Sequence, residues 1–80
     1  MKGEIREVLR DHGRLAHDVE TLPDDADLYE IGMTSHASVN VMLALEAKFD
    51  IEFPDRMLRR GVFESISSMS AAIEELVGGH

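Results

Sequence analysis

Ser35-His36-Ala37-Ser38-Val39-Asn40-Val41-Met42-Leu43-Ala44-Leu45-Glu46-Ala47-Lys48-Phe49-Asp50-Ile51-Glu52-Phe53-Pro54-Asp55 is the stretch that decides how this chain folds. Apolar residues recur at helical spacing through it, and no glycine or proline intervenes before Pro54. The pattern predicts a helix from Ser35 to about Phe49, with Val39, Met42, Leu43 and Phe49 inward and Val41 and Leu45 on the flanks. Asp50 ends it. Ile51-Glu52-Phe53 is too short for a stable strand, and Pro54 suits the start of further helical structure. At the other end, Thr34 and Ser35 both qualify as N-caps. A serine hydroxyl at that position sits beside free backbone N–H groups and the positive end of the helix dipole. That environment favours a phosphate ester. On spacing alone, a plain cap and a covalent attachment point are equally good readings of Ser35.

Working outward, Ile5, Val8, Leu9, Leu15 and Ala16 form an apolar stripe that predicts a first helix from residue 2 to about 17. Gly13 lies inside it and weakens its last turn. Residues 18–34 contain Pro23 and Gly32 and show no sustained period. Leu22, Leu28 and Ile31 are the expected anchors of this long connection, with Met33 packing where the next helix begins. Met57, Leu58, Val62 and Phe63 predict a short third helix or turn, broken by Gly61. Ser65 is the expected cap of a last helix whose stripe is Ile66, Met69, Ile73, Leu76 and Val77, closed by Gly78-Gly79. The expectation is an all-α fold: a small four-helix bundle with a short third helix, residues 1–80 forming one domain.

Composition narrows the function. The net charge of −8 excludes a nucleic-acid binder, because phosphates select basic surfaces. The chain has no cysteine, so it has neither a disulfide framework nor a protein thiolate. The first residues lack the apolar core of a signal peptide and no apolar run is long enough to span a membrane, so a cytoplasmic location is expected. Residues 18–34 carry six acidic side chains and no basic one: Asp18, Glu20, Asp24, Asp25, Asp27 and Glu30. They lack the glycine and the late glutamate of a calcium loop, and surface solvation is their expected role. His12 and His17 are spaced five apart, off a common helical face, so no metal site is expected. No catalytic residue is expected either. His36 is adjacent to Ser35 and projects about 100° away from it on a helix, there is no nucleophile elbow, and so small a chain cannot wall off a substrate.

The whole pattern resembles the acyl carrier protein family, including its peptidyl and aminoacyl relatives. The resemblance rests on Gly32-Met33 before Ser35, on Met42-Leu43-Ala44-Leu45-Glu46, on Phe49-Asp50-Ile51-Glu52-Phe53-Pro54-Asp55, on Ser65-Ile66, and upstream on Asp27-Leu28 and Ile31-Gly32. It implies that Ser35 carries a covalent 4'-phosphopantetheine arm, installed by a phosphopantetheinyl transferase. It also implies a loading ligase for an acyl or aminoacyl group and a downstream acyltransferase or synthase. The family places aspartate before the serine and leucine after it; this chain has Thr34 and His36. Its second helix begins without the family's acidic charge, and basic charge gathers at Arg56, Arg59 and Arg60. Thr34, His36, Asn40 and these three arginines are therefore the expected docking residues for dedicated partners. An acyl cargo is the default expectation and an aminoacyl cargo the alternative. A small helical interaction or regulatory domain with a bare Ser35 is the rival reading. The carrier is expected to be monomeric.

Overall fold

The computed structural model describes residues 1–78. Four α-helices follow one another: α1 (Lys2–His12), α2 (Ser35–Phe49), α3 (Arg60–Phe63) and α4 (Ile66–Gly78), with single 3-10 turns at Val19–Thr21 and Asp55–Met57. The all-α bundle with a short third helix is as expected. α1 packs on both α2 and α4, and α3 packs on α4. The core is drawn from every part of the chain, with Ile5, Leu9, Leu28, Val41, Leu45, Ile66, Met69 and Ile73 sealed from solvent.

Three expectations about the helices are corrected. α1 stops at His12, not near residue 17. The Gly13 N–H closes on Leu9 O at 2.8 Å, and Arg14 then turns into the left-handed region (φ 57), so Leu15 reaches the core from a loop and Ala16 lies exposed. Gly13 permits this ending because a Cβ there would stand 2.8 Å from Leu9 O. Gly61 does not break α3 but lies within it; the break falls earlier, at Leu58 and Arg59, whose backbones are non-helical. The largest difference concerns α2. Its buried residues are Ala37, Val41 and Leu45, while Val39 and Leu43 are 50% and 53% exposed. The expected inward stripe is thus turned partly outward, and Val41 and Leu45, expected on the flanks, are central. α2 is apolar around most of its circumference, so periodicity cannot select a face; packing against α1 and the long loop does.

The helix ends otherwise match expectation. Asp50 closes α2 in the left-handed conformation (φ 54). Ser65 Oγ accepts from Ser68 N at 3.0 Å at the start of α4. Of the expected closing pair, Gly78 is the last residue of α4 and Gly79 lies outside the described residues.

The loop 18–34 is held by its carboxylates as much as by its apolar anchors. Leu28 and Met33 are buried, Leu22 and Ile31 half-buried. Leu28 N–H donates to Glu64 O at 2.7 Å, which ties the loop to the end of α3. Asp24 receives Lys2 Nζ at 3.0 Å and Arg6 Nη2 at 2.6 Å, and Arg6 also donates to Val19 O. Asp18 and Asp27 accept the N–H groups of Glu20 and Tyr29, each at 3.0 Å. Glu20 pairs with Arg10 of α1 at 3.3 Å, so four of the six acidic side chains shape or tether the loop, which corrects the expectation of simple solvation. Among the described residues no group of three His, Asp or Glu side chains is placed to hold a metal ion.

This pinning has a pH signature. Hydrogen bonding to the Lys2 ammonium, and then to Arg6, holds the Asp24 carboxyl below its usual range despite partial desolvation. A carboxyl depressed in the folded state adds stability above its unfolded pKa, and loses it as pH falls through the lower folded value. Melting temperature should therefore fall on acidification below about pH 4, where an ordinary Asp titrates. Asp24→Asn should flatten that part of the profile, and an unchanged profile in the variant would show that Asp24 does not hold the loop.

Candidate functional site

The start of α2 is built by a division of labour between two adjacent hydroxyls. Thr34 takes the extended backbone of an N-cap (φ −82, ψ 165) and its Oγ1 accepts the Ala37 N–H at 3.0 Å. Ser35 is the first helical residue and is exposed; its Oγ takes no part in the side-chain hydrogen bonds of the described residues. Reading Ser35 as a plain cap is thereby overturned. The cap belongs to Thr34. Nearby Ser38 differs again, because its Oγ donates to Ser35 O at 2.7 Å. Of the three hydroxyls, only that of Ser35 is uncommitted. Thr34→Ala should cost about 1 kcal/mol through loss of the cap, and Thr34→Asp should keep it. Chemical denaturation measures both; equal stability of the alanine variant and the parent would show that the cap contributes nothing.

Gly32 sets the approach to this helix. Its φ of 122° is open to glycine and strained for other residues. It lets the chain turn so that Met33 N–H returns to Leu28 O at 2.9 Å and the Met33 side chain enters the core. Met33 and Ala37 then fix the first turn of α2 from below, which leaves Ser35 at the surface.

Ser35, Ser38, Val39 and Met42 share one face of α2, at the i, i+3, i+4, i+7 spacing of a helical stripe. That face forms one wall of an open depression of about 370 Å³. Leu58, Arg59, Arg60 and Phe63, with Tyr29 from the loop, complete its lining. The Arg60 guanidinium lies 4.1 Å from the centre of the Tyr29 ring, a cation–π contact joining the loop to α3. Phe53 and Phe63 meet edge to face at 5.2 Å beneath the linker, and Glu46 Oε2 accepts the Phe53 N–H at 2.8 Å, so the Phe63 part of the lining is anchored to α2.

The expected docking residues do not all come together. Arg59 and Arg60 border the depression that contains Ser35. Arg56 instead pairs with Glu75 of α4 at 2.9 Å and borders a second groove along α3 and α4, which Arg59 also lines. His36 is exposed beside Ser35, Thr34 is occupied as the cap, and Asn40 is half-buried outside the depression. Sequence reasoning missed Tyr29, Val39, Met42, Leu58 and Phe63 as residues lining this depression; Val39, expected in the core, is exposed, while Met42 packs against the core as expected and lines the depression as well. The signal was present for α2: an apolar stripe in register with the special serine. No local pattern marked the single tyrosine as the partner of Arg60.

Comparison with known proteins accords with this geometry. Residues 4–73 match the family described as "Phosphopantetheine attachment site", and the chain belongs to that family of carrier proteins. Its function is to carry, and it is not an enzyme. Over 79 residues it is 44% identical to an aminoacyl carrier protein of Agrobacterium fabrum, covering 99% of this chain and 95% of the relative. It also resembles a chain in the crystal structure of an engineered Bradyrhizobium japonicum glycine:[carrier protein] ligase complexed with a carrier protein from Agrobacterium tumefaciens and AMP. The TM-score is 0.90 at 46% identity, covering 92% of this chain and 99% of that one. A third likeness is to a chain in the crystal structure of Bradyrhizobium japonicum glycine:[carrier protein] ligase complexed with glycylated carrier protein. There the TM-score is 0.73 at 29% identity, covering 89% and 95%. The rival reading, a helical interaction domain without a prosthetic group, is set aside by the family match.

Proposed function

We propose that Ser35 is the attachment residue of the 4'-phosphopantetheine arm, and that the arm carries an aminoacyl group, glycine in the first instance. The observation that carries the reading is the uncommitted Ser35 hydroxyl at the start of α2, left free because Thr34 supplies the cap. The site suits a phosphodiester. Residues at a helix start have N–H groups without helical acceptors, and the helix dipole adds positive potential there. When bound, the arm supplies a thiol that holds cargo as a thioester. The chain's own part is to display that thiol and to contribute no competing one, since it has no cysteine. A reducing cytoplasm, which keeps such a thiol free, is the fitting compartment.

Glycine is favoured over a fatty acyl group by the likeness to an aminoacyl carrier protein along nearly the whole chain and to a carrier found with a glycine ligase. The charge pattern supports the same view. Residues 35–45 of α2 carry no carboxylate, so a partner with a basic docking patch gains little here. Dedicated partners, a transferase, a glycine-loading ligase and a downstream acyltransferase, fit the neutral start of α2 and the arginines at positions 59 and 60. Arg56, paired with Glu75, borders the second groove together with Arg59 and does not line the depression beside Ser35.

The test is intact-mass spectrometry in two steps. Incubation with coenzyme A and a phosphopantetheinyl transferase should add one arm per chain. Glycine, ATP and a glycine:[carrier protein] ligase should then add one glycyl group. A chain that accepts the arm but is loaded by a fatty-acid ligase and never by the glycine ligase would overturn the aminoacyl assignment.

A further inference from the structure

The two cations that border the depression beside Ser35 are both arginines, Arg59 and Arg60. Lys2 and Lys48 are the only lysines of the chain, neither lines that depression, and each is tied to a carboxylate. Lys48 lies near the far end of α2, about 20 Å from Ser35 at the rise of an α-helix, and its Nζ donates to Glu7 Oε1 at 2.8 Å. Hydrogen bonding to Glu7, and then its charge, hold the Lys48 ammonium above its usual range despite some desolvation. Lys2 Nζ donates to Asp24 Oδ2 at 3.0 Å. With no cysteine in the chain, neither an amine nor a thiol of the protein borders the depression that contains the serine. His36 is exposed beside Ser35 but is not among the lining residues. An acyl group on imidazole is more reactive than a thioester, so it passes back to a thiol or to water and leaves no lasting mark.

We propose that Arg59 and Arg60 supply the positive charge of this surface in non-nucleophilic form, so that the carrier does not capture its own thioester cargo. The inference rests on the assignment of the arm to Ser35. The reaction avoided is aminolysis. A neutral lysine ε-amine adds to the thioester carbonyl carbon, a C–N bond forms, the C–S bond breaks, and the departing thiolate takes the proton that the amine gives up. The products are an amide on the protein and a free arm thiol, and the amide is too stable to be passed on. A tethered group meets its neighbours at an effective concentration on the order of millimolar, so a lysine beside the anchor would meet the cargo repeatedly. A guanidinium keeps its charge at every working pH and its delocalised nitrogens do not attack. Arg60 has a second reason to be arginine, since it stacks over Tyr29 at 4.1 Å. Arg59 makes no such contact among the described residues, so it is the cleaner position for a test.

The experiment uses arm-bearing parent, Arg59→Lys and Arg59→Lys/Arg60→Lys proteins, with the mass of each checked first. Thiol–thioester exchange with a small acetyl thioester charges the arm without a ligase, so a change in docking does not enter. After removal of the reagent the samples are held at about pH 8.5, where more of an ordinary lysine is neutral than at pH 7. Hydroxylamine then strips thioesters and spares amides, and peptide mapping locates what remains. The variants should keep an acetyl group at position 59 or 60, formed at a rate independent of protein concentration. That rate should be at least about fivefold the rate at Lys2 or Lys48, from tethering and from the absence of a carboxylate partner. The single variant retains the Arg60–Tyr29 contact and decides the matter if the double variant unfolds. No stable acetyl group at these positions, or one formed no faster than at Lys48, overturns the inference and leaves the arginines as charge alone. A rate that rises with protein concentration also overturns it, because transfer is then between molecules. A starting mass without an arm removes the Ser35 assignment and this inference with it.

Discussion

Ser35→Ala is expected to abolish acceptance of the arm completely while leaving the fold at essentially parental stability. The second half of that expectation comes from the structure. A serine that caps a helix costs about 1 kcal/mol when replaced by alanine. Here Thr34 Oγ1 holds the Ala37 N–H, and the Ser35 hydroxyl is exposed and uncommitted. The change should therefore lie within about 0.5 kcal/mol, as for surface positions without special roles, and alanine is itself a good residue for a helix. Ser38→Ala should leave modification untouched, since its hydroxyl is used in a local bond to Ser35 O. Mass spectrometry with peptide mapping reads the modification and thermal melting reads the fold. An arm found on Ser38, or on the alanine variant, would remove Ser35 from its role.

The second large effect separates two neighbouring positions of α2. Val41→Asp should unfold the chain, whereas Leu43→Asp should melt close to the parent. Val41 is fully buried between α2 and the rest of the bundle, and Leu43 is half exposed. A carboxylate forced into the core without a partner costs about 3–5 kcal/mol. A domain of this size has a total stability of about 5 kcal/mol. At Leu43 water solvates the new charge, and the cost is limited to the partial burial that the leucine side chain enjoys. Circular dichroism across a urea titration decides between them. A Leu43→Asp variant that unfolds while Val41→Asp remains native would mean that the inward face of α2 is wrongly assigned.

These two positions also mark the reach of residue spacing. The existence and type of all four helices were legible, because each apolar stripe is broken by proline, glycine or a capping hydroxyl. The place of Ser35 at a helix start was legible from the phase of α2, and its distance from the linker Phe49–Pro54 carried the family. The buried face of α2 was not legible. Its apolar residues cover too much of its circumference, and the burial of Ala37, Val41 and Leu45 follows from where α1 and the loop press against it. The cap was not legible either. Thr34 and Ser35 offer the same chemistry, and only the extended backbone of Thr34 assigns it the role. The end of α1 at Gly13 depended on a single close approach to Leu9 O. Asp24, one carboxylate among six, became an anchor because folding brings Lys2 and Arg6 to it across more than a dozen residues. The Tyr29–Arg60 pair that lines the Ser35 depression joins a loop to a helix, and no period of two or 3.6 residues encodes such a meeting. Local spacing specifies each element from its own residues. Long-range packing alone decides which side of an element meets another, and with it the shape and charge of the surface around the serine.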